Sequence, residues 1–161
     1  MQACIAAGVP AQVIPGVSSS VAVPAAGGIP ITHRNVSKSF TVISGHTPPE
    51  SRALEGLVRL GGTIVILMGI SNLRQIVAGL CRAGLDAATP TAAIERGFSD
   101  AQRTVMSPLG QLPAEVRRWD VCSPAVVVIG DVVAVSPQFA HSADVIDAFG
   151  QRSRPPQARA S

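Results

Sequence analysis

The chain has 161 residues, a formal net charge of +3, 47% hydrophobic residues and 14% charged residues, which suffices for one domain with a buried core and excludes a disordered polyampholyte. The sequence has no dense block of basic residues with interleaved aromatics, so a nucleic-acid partner is not predicted. No apolar run is long enough to span a bilayer, and the first residues lack the pattern of a signal peptide, so we expect a cytoplasmic protein without a membrane partner.

Strands and helices alternate along the chain. Strands are predicted from short runs of β-branched residues between turn residues, and helices from apolar residues at helical spacing. In chain order the prediction is a helix at 2–8, a strand at 11–14, a helix from Ser18 or Ser19 to the glycines at 27–28, an extended linker at 29–37, a strand at 40–44, a helix at 51–60, a strand at 63–68, a helix at 72–83, strands at 91–95 and 103–107, a helix at 111–119, and a strand at 125–129 that continues to about 135. This alternation predicts a layered α/β architecture.

The last part of the chain has a different character. Residues 143–149 predict one or two helical turns, and residues 151–161 are polar and rich in Pro and Arg. Such a composition cannot bury enough apolar surface to offset the entropy of ordering, so we expect disorder over most of 137–161.

The cysteines give no indication of a metal site. Cys4, Cys81 and Cys122 are far apart in sequence and show neither a CxxC nor a Cys/His ligand spacing. A structural zinc site is therefore not predicted. Three buried thiols in a reducing compartment are expected instead.

Five stretches carry a resemblance to a known family. They are PGVSSS and GIPITHR (15–20 and 28–34), SFTVISGH (39–46), GGTIVILMGISNL (61–73), TPTAAIERGFSDAQRTV (89–105) and SPAVVVIGDVV (123–133). In this order they resemble the tetrapyrrole methylase family, and within it the uroporphyrinogen-III C-methyltransferases. The resemblance is with the later half of the family's chain only.

The resemblance implies a division of the chain. Residues 1–28 correspond to a remnant of an N-terminal, cofactor-binding α/β domain, and residues 29–37 to the linker. Residues 38–136 correspond to the C-terminal α/β domain, and residues 137–161 form a tail. The family also implies a homodimer.

The resemblance further implies a cofactor site and a substrate site. Residues matching the family's S-adenosyl-L-methionine contacts are Ser18, Ser19, Met68, Gly97 and Ala125. Residues matching contacts to the tetrapyrrole, uroporphyrinogen III, are His33, Arg34 and Met68. No catalytic residue is assigned, and the family's GPGD and GGDP cofactor loops have no counterpart in this sequence.

Most of these candidates also have an ordinary structural explanation. Serine hydroxyls such as those of Ser18 and Ser19 cap helices, because they accept a hydrogen bond from an unpaired amide. Met68 suits core packing, Gly97 suits a turn, and a lone His-Arg pair at 33–34 suits a solvated linker. On the residues alone, the helix cap outweighs a ligand contact for the serines.

The implied activity is C-methylation of uroporphyrinogen III at C2 and C7, giving precorrin-2 for sirohaem or cobalamin biosynthesis, by a longer enzyme of which this chain is a part. Two alternatives stay open. The chain is a truncated, non-catalytic remnant or interaction module of the same fold, or it belongs to a methylase that acts on a later precorrin. The chain alone is expected to be inactive.

Overall fold

The computed structural model describes residues 1–137 and 139, and the backbone of 145–147 and 152–153. The helices are α1 (Gln2–Ala6), α2 (Ser19–Ala26), α3 (Ser51–Leu60), α4 (Leu73–Arg82) and α5 (Leu112–Arg118). The strands are β1 (Phe40–Ser44), β2 (Thr63–Leu67), β3 (Pro90–Glu95), β4 (Arg103–Pro108), β5 (Ala125–Ile129), β6 (Val145–Asp147) and β7 (Arg152–Ser153). A 3-10 helix follows β5 over Asp131–Val135.

The strands form one mixed sheet in the order β1-β2-β5-β3-β4-β6-β7. Strands β1 and β2 are parallel, and every other pair is antiparallel. The three neighbours β2, β5 and β3 are buried along almost their whole length. Their continuous runs of apolar residues are typical of strands covered on both faces.

Helices cover the two faces of the sheet, and each face has its own core. On one face, α3, α4 and α5 bury residues such as Leu54, Ile76 and Leu112 against the sheet. On the other face, α2 and the 3-10 helix contribute Val23 and Val132. The predicted layered α/β architecture is confirmed, because helices pack on both sides of one sheet.

The strand predicted at 11–14 does not form. These residues have no strand conformation, and the side chain of Ile14 is 85% exposed. A strand needs a neighbour to accept its backbone hydrogen bonds, and no described part of the chain lies beside this segment as a strand. The apolar side chains of Val9, Val13 and Val17 are exposed as well.

Two further segments differ from the extended structure predicted for them. Within 29–37 the chain turns back, because the His33 N–H donates to the Ser37 carbonyl and the Ser37 N–H donates to the His33 carbonyl, each at 3.0 Å. The strand β5 stops at Gly130, whose φ of 140° ends the pairing. The 3-10 helix that follows buries Val132 and Val133 against the sheet.

The last described segments are strands. Val145–Asp147 pairs with β4, and Arg152–Ser153 pairs with Val145–Asp147, where the sequence predicted helical turns over 143–149. Strand β4 offers a free edge there, and long-range pairing of this kind overrides a weak local preference. The rest of the tail predicted to be disordered lies outside the described residues.

Two predictions about composition can be compared with the structure. Cys4 and Cys81 are half-buried and Cys122 is exposed, so the prediction of three buried thiols is wrong. Among the residues that the structure describes, no helix combines the length and the apolar character needed to cross a membrane.

Candidate functional site

A cavity of about 800 Å³ opens at the edge of the sheet where β2 and β3 end and β5 begins. Because β5 runs antiparallel to both neighbours, its first residue lies between the last residues of β2 and β3. The volume falls in the usual range of small-molecule sites. The cavity is lined by Ser19, Val23, His46, Leu67, Met68, Ser71, Ile94, Arg96, Gly97, Ser123, Pro124, Ala125 and Val126.

The cavity brings together four residues that the family resemblance assigns to the cofactor. Ser19 comes from α2, Met68 from the loop after β2, Gly97 from the loop after β3, and Ala125 from the start of β5. These segments are distant in sequence, so only the folded sheet places them side by side.

Ser18 is not among the residues that line the cavity. It is the N-cap of α2, where its Oγ accepts a hydrogen bond from the Ser20 N–H at 3.3 Å and lies 2.8 Å from the Ser20 Oγ. The helix cap, which the sequence offered as the ordinary explanation, therefore accounts for this hydroxyl.

His33 and Arg34, the candidate substrate contacts, are exposed and do not line the cavity. The turn that holds them is closed by Ser37, whose Oγ accepts from the Thr63 Oγ1 at 3.2 Å. Thr63 begins β2, whereas the cavity lies at the end of β2. At about 3.3 Å per residue, the five residues of this strand separate the two places by roughly 16 Å. The structure does not bring this pair to the cavity.

Met68 has an unusual backbone for a long side chain. Its φ is 55°, in the left-handed region, and its side chain is 60% exposed at the cavity. Such a conformation costs a non-glycine residue about 1–2 kcal/mol. Strain of this kind is concentrated at functional sites, where the surrounding structure holds it in place. An exposed thioether in a cavity is therefore a better candidate for a ligand contact than for core packing.

The loop after β1 supplies His46, for which the sequence predicted no role. Asn72 holds this loop, because its Nδ2 donates to the carbonyl oxygens of Gly45 and His46, at 2.9 Å each. The loop also packs closely against the loop after β2, since a Cβ on Gly45 would lie 2.5 Å from the Gly69 Cα. The pairs Gly45-His46 and Met68-Gly69 both lie in the stretches that resemble the family, and they form this contact. They are the feature of the sequence from which a role for His46 could have been predicted.

Gly97 has a packing role. A Cβ at this position would lie 2.7 Å from both Cγ atoms of Val23, which belongs to α2. The same helix is tied down by Gln102, whose Nε2 donates to the Ala26 carbonyl at 3.2 Å and whose Oε1 accepts from the Phe98 N–H at 2.9 Å. A small residue at 97 thus allows α2 to close one side of the cavity.

The sheet order arranges the cavity's candidates in a row. His46 follows β1, Met68 follows β2, Ala125 begins β5 and Arg96 follows β3. Neighbouring strands lie about 4.8 Å apart, so His46 and Arg96 stand at opposite ends of a row roughly 14 Å long. Within the described part of the chain, no group of three His, Cys, Asp or Glu side chains is placed to hold a metal ion.

Comparison with known proteins indicates one family for this chain. The family described as Tetrapyrrole (Corrin/Porphyrin) Methylases matches residues 1–113. An S-adenosyl-L-methionine-dependent uroporphyrinogen III methyltransferase of Methanosarcina barkeri is 42% identical over 126 residues, which is 76% of this chain and 49% of that protein. A uroporphyrinogen-III C-methyltransferase of Methanocaldococcus jannaschii is 40% identical over 130 residues, or 79% of this chain and 54% of that one.

A solved structure is also similar. The uroporphyrin-III C-methyl transferase of Thermus thermophilus, crystallised with S-adenyl homocysteine, matches with a TM-score of 0.68 and 32% identity over 82% of this chain and 57% of that one. The chain therefore spans about half the length of these relatives. Because the family match covers well over half of the chain, the chain belongs to the tetrapyrrole (corrin/porphyrin) methylase family.

Proposed function

We propose that this chain forms one wall of an S-adenosyl-L-methionine-dependent methyltransferase that methylates uroporphyrinogen III at C2 and C7 to give precorrin-2. One observation carries the proposal. Ser19, Met68, Gly97 and Ala125, which the resemblance assigns to the cofactor, line a single cavity although they come from four separate segments.

The residues of the cavity fit an adenosyl compound. Side chains of Val23, Leu67, Ile94 and Val126 provide apolar walls for a flat purine ring. Serine hydroxyls on the same surface offer hydrogen bonds to a ribose, and apolar walls with a few placed polar groups are typical of cofactor sites. When bound, S-adenosyl-L-methionine supplies an electrophilic methyl group for transfer to a pyrrole carbon, which then loses a proton.

The contribution of this chain is positioning. Asn72 fixes the loop that carries His46, and the close contact of Gly45 with Gly69 fixes the loop that carries Met68. Rigid placement of two reactants is worth on the order of 7–11 kcal/mol of a reaction barrier. We propose that the opposite wall comes from a segment equivalent to the remainder of the relatives' length, and that the chain alone does not turn over.

The exposed N-terminal segment supports an additional contact surface. Ile5, Val13, Ile14 and Val17 expose most of their apolar side chains, and exposed apolar patches mark sites of association. We propose a homodimer as the assembled form and the cytoplasm as its location.

The test compares the 161-residue chain with the same chain extended at its N-terminus by the first half of a related methyltransferase. S-adenosylhomocysteine binding is measured by calorimetry, and turnover of uroporphyrinogen III by the fluorescence of the oxidised product. We expect binding weaker than low micromolar and no turnover for the chain alone, and both activities in the extended protein. Equal turnover by the two forms contradicts the proposed missing wall.

The same experiment separates the alternatives. An extended protein that binds S-adenosylhomocysteine but leaves uroporphyrinogen III unchanged favours a methylase acting on a later precorrin. An extended protein that binds neither compound favours a non-catalytic remnant or interaction module.

A further inference from the structure

Arg96 provides the single fixed charge of the cavity. Among the residues that line it, all of them described, none is Lys, Asp or Glu, and His46 is the one other titratable side chain. A permanent cation facing apolar walls, without an acidic residue beside it in the cavity, favours an anionic group on the ligand.

The guanidinium of Arg96 has hydrogen-bond donors that are free to bind a ligand. Its Nε lies 3.6 Å from Oε1 of the buried Glu95, and its side chain is 53% exposed. The other Glu95 oxygen, Oε2, is held by Arg103. Among the described residues, the terminal nitrogens of Arg96 have no hydrogen-bond partner. Glu95 therefore orients Arg96 from one side and leaves its outer edge available.

The backbone of Arg96 is held in place before any ligand arrives. Its φ is 48°, and its N–H donates to the Pro124 carbonyl at 2.9 Å, which ties the loop to the start of β5. Its own carbonyl accepts from the Ser99 Oγ at 2.7 Å and from the Ser99 N–H at 3.1 Å. The backbone at this position therefore needs no further ordering when a ligand binds.

We propose that Arg96 binds a carboxylate group of the ligand that occupies this cavity. The proposal rests on the proposed function, which supplies two ligands with carboxylates: the methionyl part of the cofactor and the side chains of the tetrapyrrole. The planar guanidinium matches a carboxylate with two parallel hydrogen bonds. Arg96 follows β3 and Met68 follows β2, and these two strands lie two positions apart in the sheet, a distance of roughly 10 Å. A ligand that lies between the two residues therefore reaches both.

A neighbouring cavity makes one side of Arg96 unfavourable for a carboxylate. Arg96 also lines a second cavity of about 410 Å³, together with Glu95, Asp100, Arg103 and Asp120. Its three acidic and two basic residues leave it with a net negative charge, which repels an anion. The carboxylate is therefore expected on the side of Met68 and Ala125.

The test measures the binding of three ligands by four forms of the extended protein described above. The ligands are S-adenosylhomocysteine, 5′-methylthioadenosine, which lacks the amino-acid part, and uroporphyrin III. The proteins are the wild type, Arg96→Gln, Arg96→Lys and Arg52→Gln, an exposed position on α3 that controls for the loss of one positive charge. Calorimetry or porphyrin fluorescence gives each dissociation constant.

We expect Arg96→Gln to weaken binding of a carboxylate-bearing ligand by about 10- to 100-fold, the usual range for a hydrogen bond to a charged group. Arg96→Lys restores part of the affinity, and Arg52→Gln leaves it unchanged. Weaker S-adenosylhomocysteine binding with unchanged 5′-methylthioadenosine binding identifies the cofactor carboxylate. Weaker uroporphyrin III binding alone identifies a substrate carboxylate.

Two results overturn the proposal while the proposed function stands. In the first, Arg96→Gln binds all three ligands as the wild type does. In the second, it loses 5′-methylthioadenosine as strongly as S-adenosylhomocysteine, which shows that Arg96 acts on something other than a carboxylate. A wild type that binds none of the three ligands overturns both proposals.

Discussion

The contact between Gly97 and Val23 allows a decisive test of why a small residue occupies position 97. The resemblance explains Gly97 by closeness to the cofactor, whereas the structure shows an added Cβ 2.7 Å from both Cγ atoms of Val23. The φ of Gly97 is not in the left-handed region, so alanine is compatible with its backbone. Gly97→Ala therefore tests the contacts of an added methyl group without backbone strain.

The expected changes in the free energy of unfolding follow from the methyl groups that each substitution adds or removes. Forcing a methyl group against Val23, which is buried on α2, is expected to lower the free energy of unfolding by about 1–3 kcal/mol. Val23→Ala removes two buried methyl groups and costs about 2 kcal/mol. In the double variant the new methyl occupies part of the vacated space, so we expect a loss at least ~1 kcal/mol smaller than the sum of the single losses.

Urea unfolding of the four proteins measures these free energies, and calorimetry measures S-adenosylhomocysteine binding by the extended protein. If position 97 serves only the helix, the double variant binds S-adenosylhomocysteine as Val23→Ala does. If a side chain at 97 also collides with the ligand, the double variant binds more weakly than Val23→Ala, although its loss of stability is smaller than the sum. A Gly97→Ala variant that is as stable as the wild type refutes the packing argument. A double variant whose loss in the free energy of unfolding equals the sum of the two single losses refutes it as well.

Three further predictions concern the same region and the assembly. In the extended protein, Met68→Ala is expected to lower the turnover of uroporphyrinogen III at least about 10-fold, because the ligand is positioned less well. Cys81 lies outside this cavity, so Cys81→Ala leaves the rate unchanged and serves as the control. Equal turnover rates for the two variants contradict a ligand contact at Met68. Asn72→Ala removes two hydrogen bonds and is expected to lower the free energy of unfolding by about 1–3 kcal/mol. It is also expected to speed amide hydrogen exchange in the loop that carries His46. Unchanged exchange shows that the contact of Gly45 with Gly69 alone holds the loop. Sedimentation is expected to show a concentration-dependent dimer, with weaker association for Ile14→Lys; a monomer at high concentration contradicts the proposed homodimer.

The sequence by itself determined the central strands and the amphipathic helices. Strands β2, β3 and β5 each contain a continuous apolar run, at 64–67, 92–94 and 125–129, which is typical of strands buried on both faces. Helices α3 and α4 repeat apolar residues at helical spacing, because one side of each faces the sheet. These features are local, so they are visible in a few consecutive residues. The cofactor candidates came from the family resemblance and not from local pattern.

The tertiary structure alone decided where those residues meet. The antiparallel placement of β5 between β2 and β3 brings Ala125 beside Met68 and Arg96, and no local pattern states the direction of a strand. The same dependence on distant partners explains two differences from the predicted structure. Residues 11–14 have no neighbouring strand, and residues 33–37 form a turn that is tied to the start of β2. Local preference fixes which residues can form a strand or a helix, but backbone pairing and burial between distant segments select the arrangement.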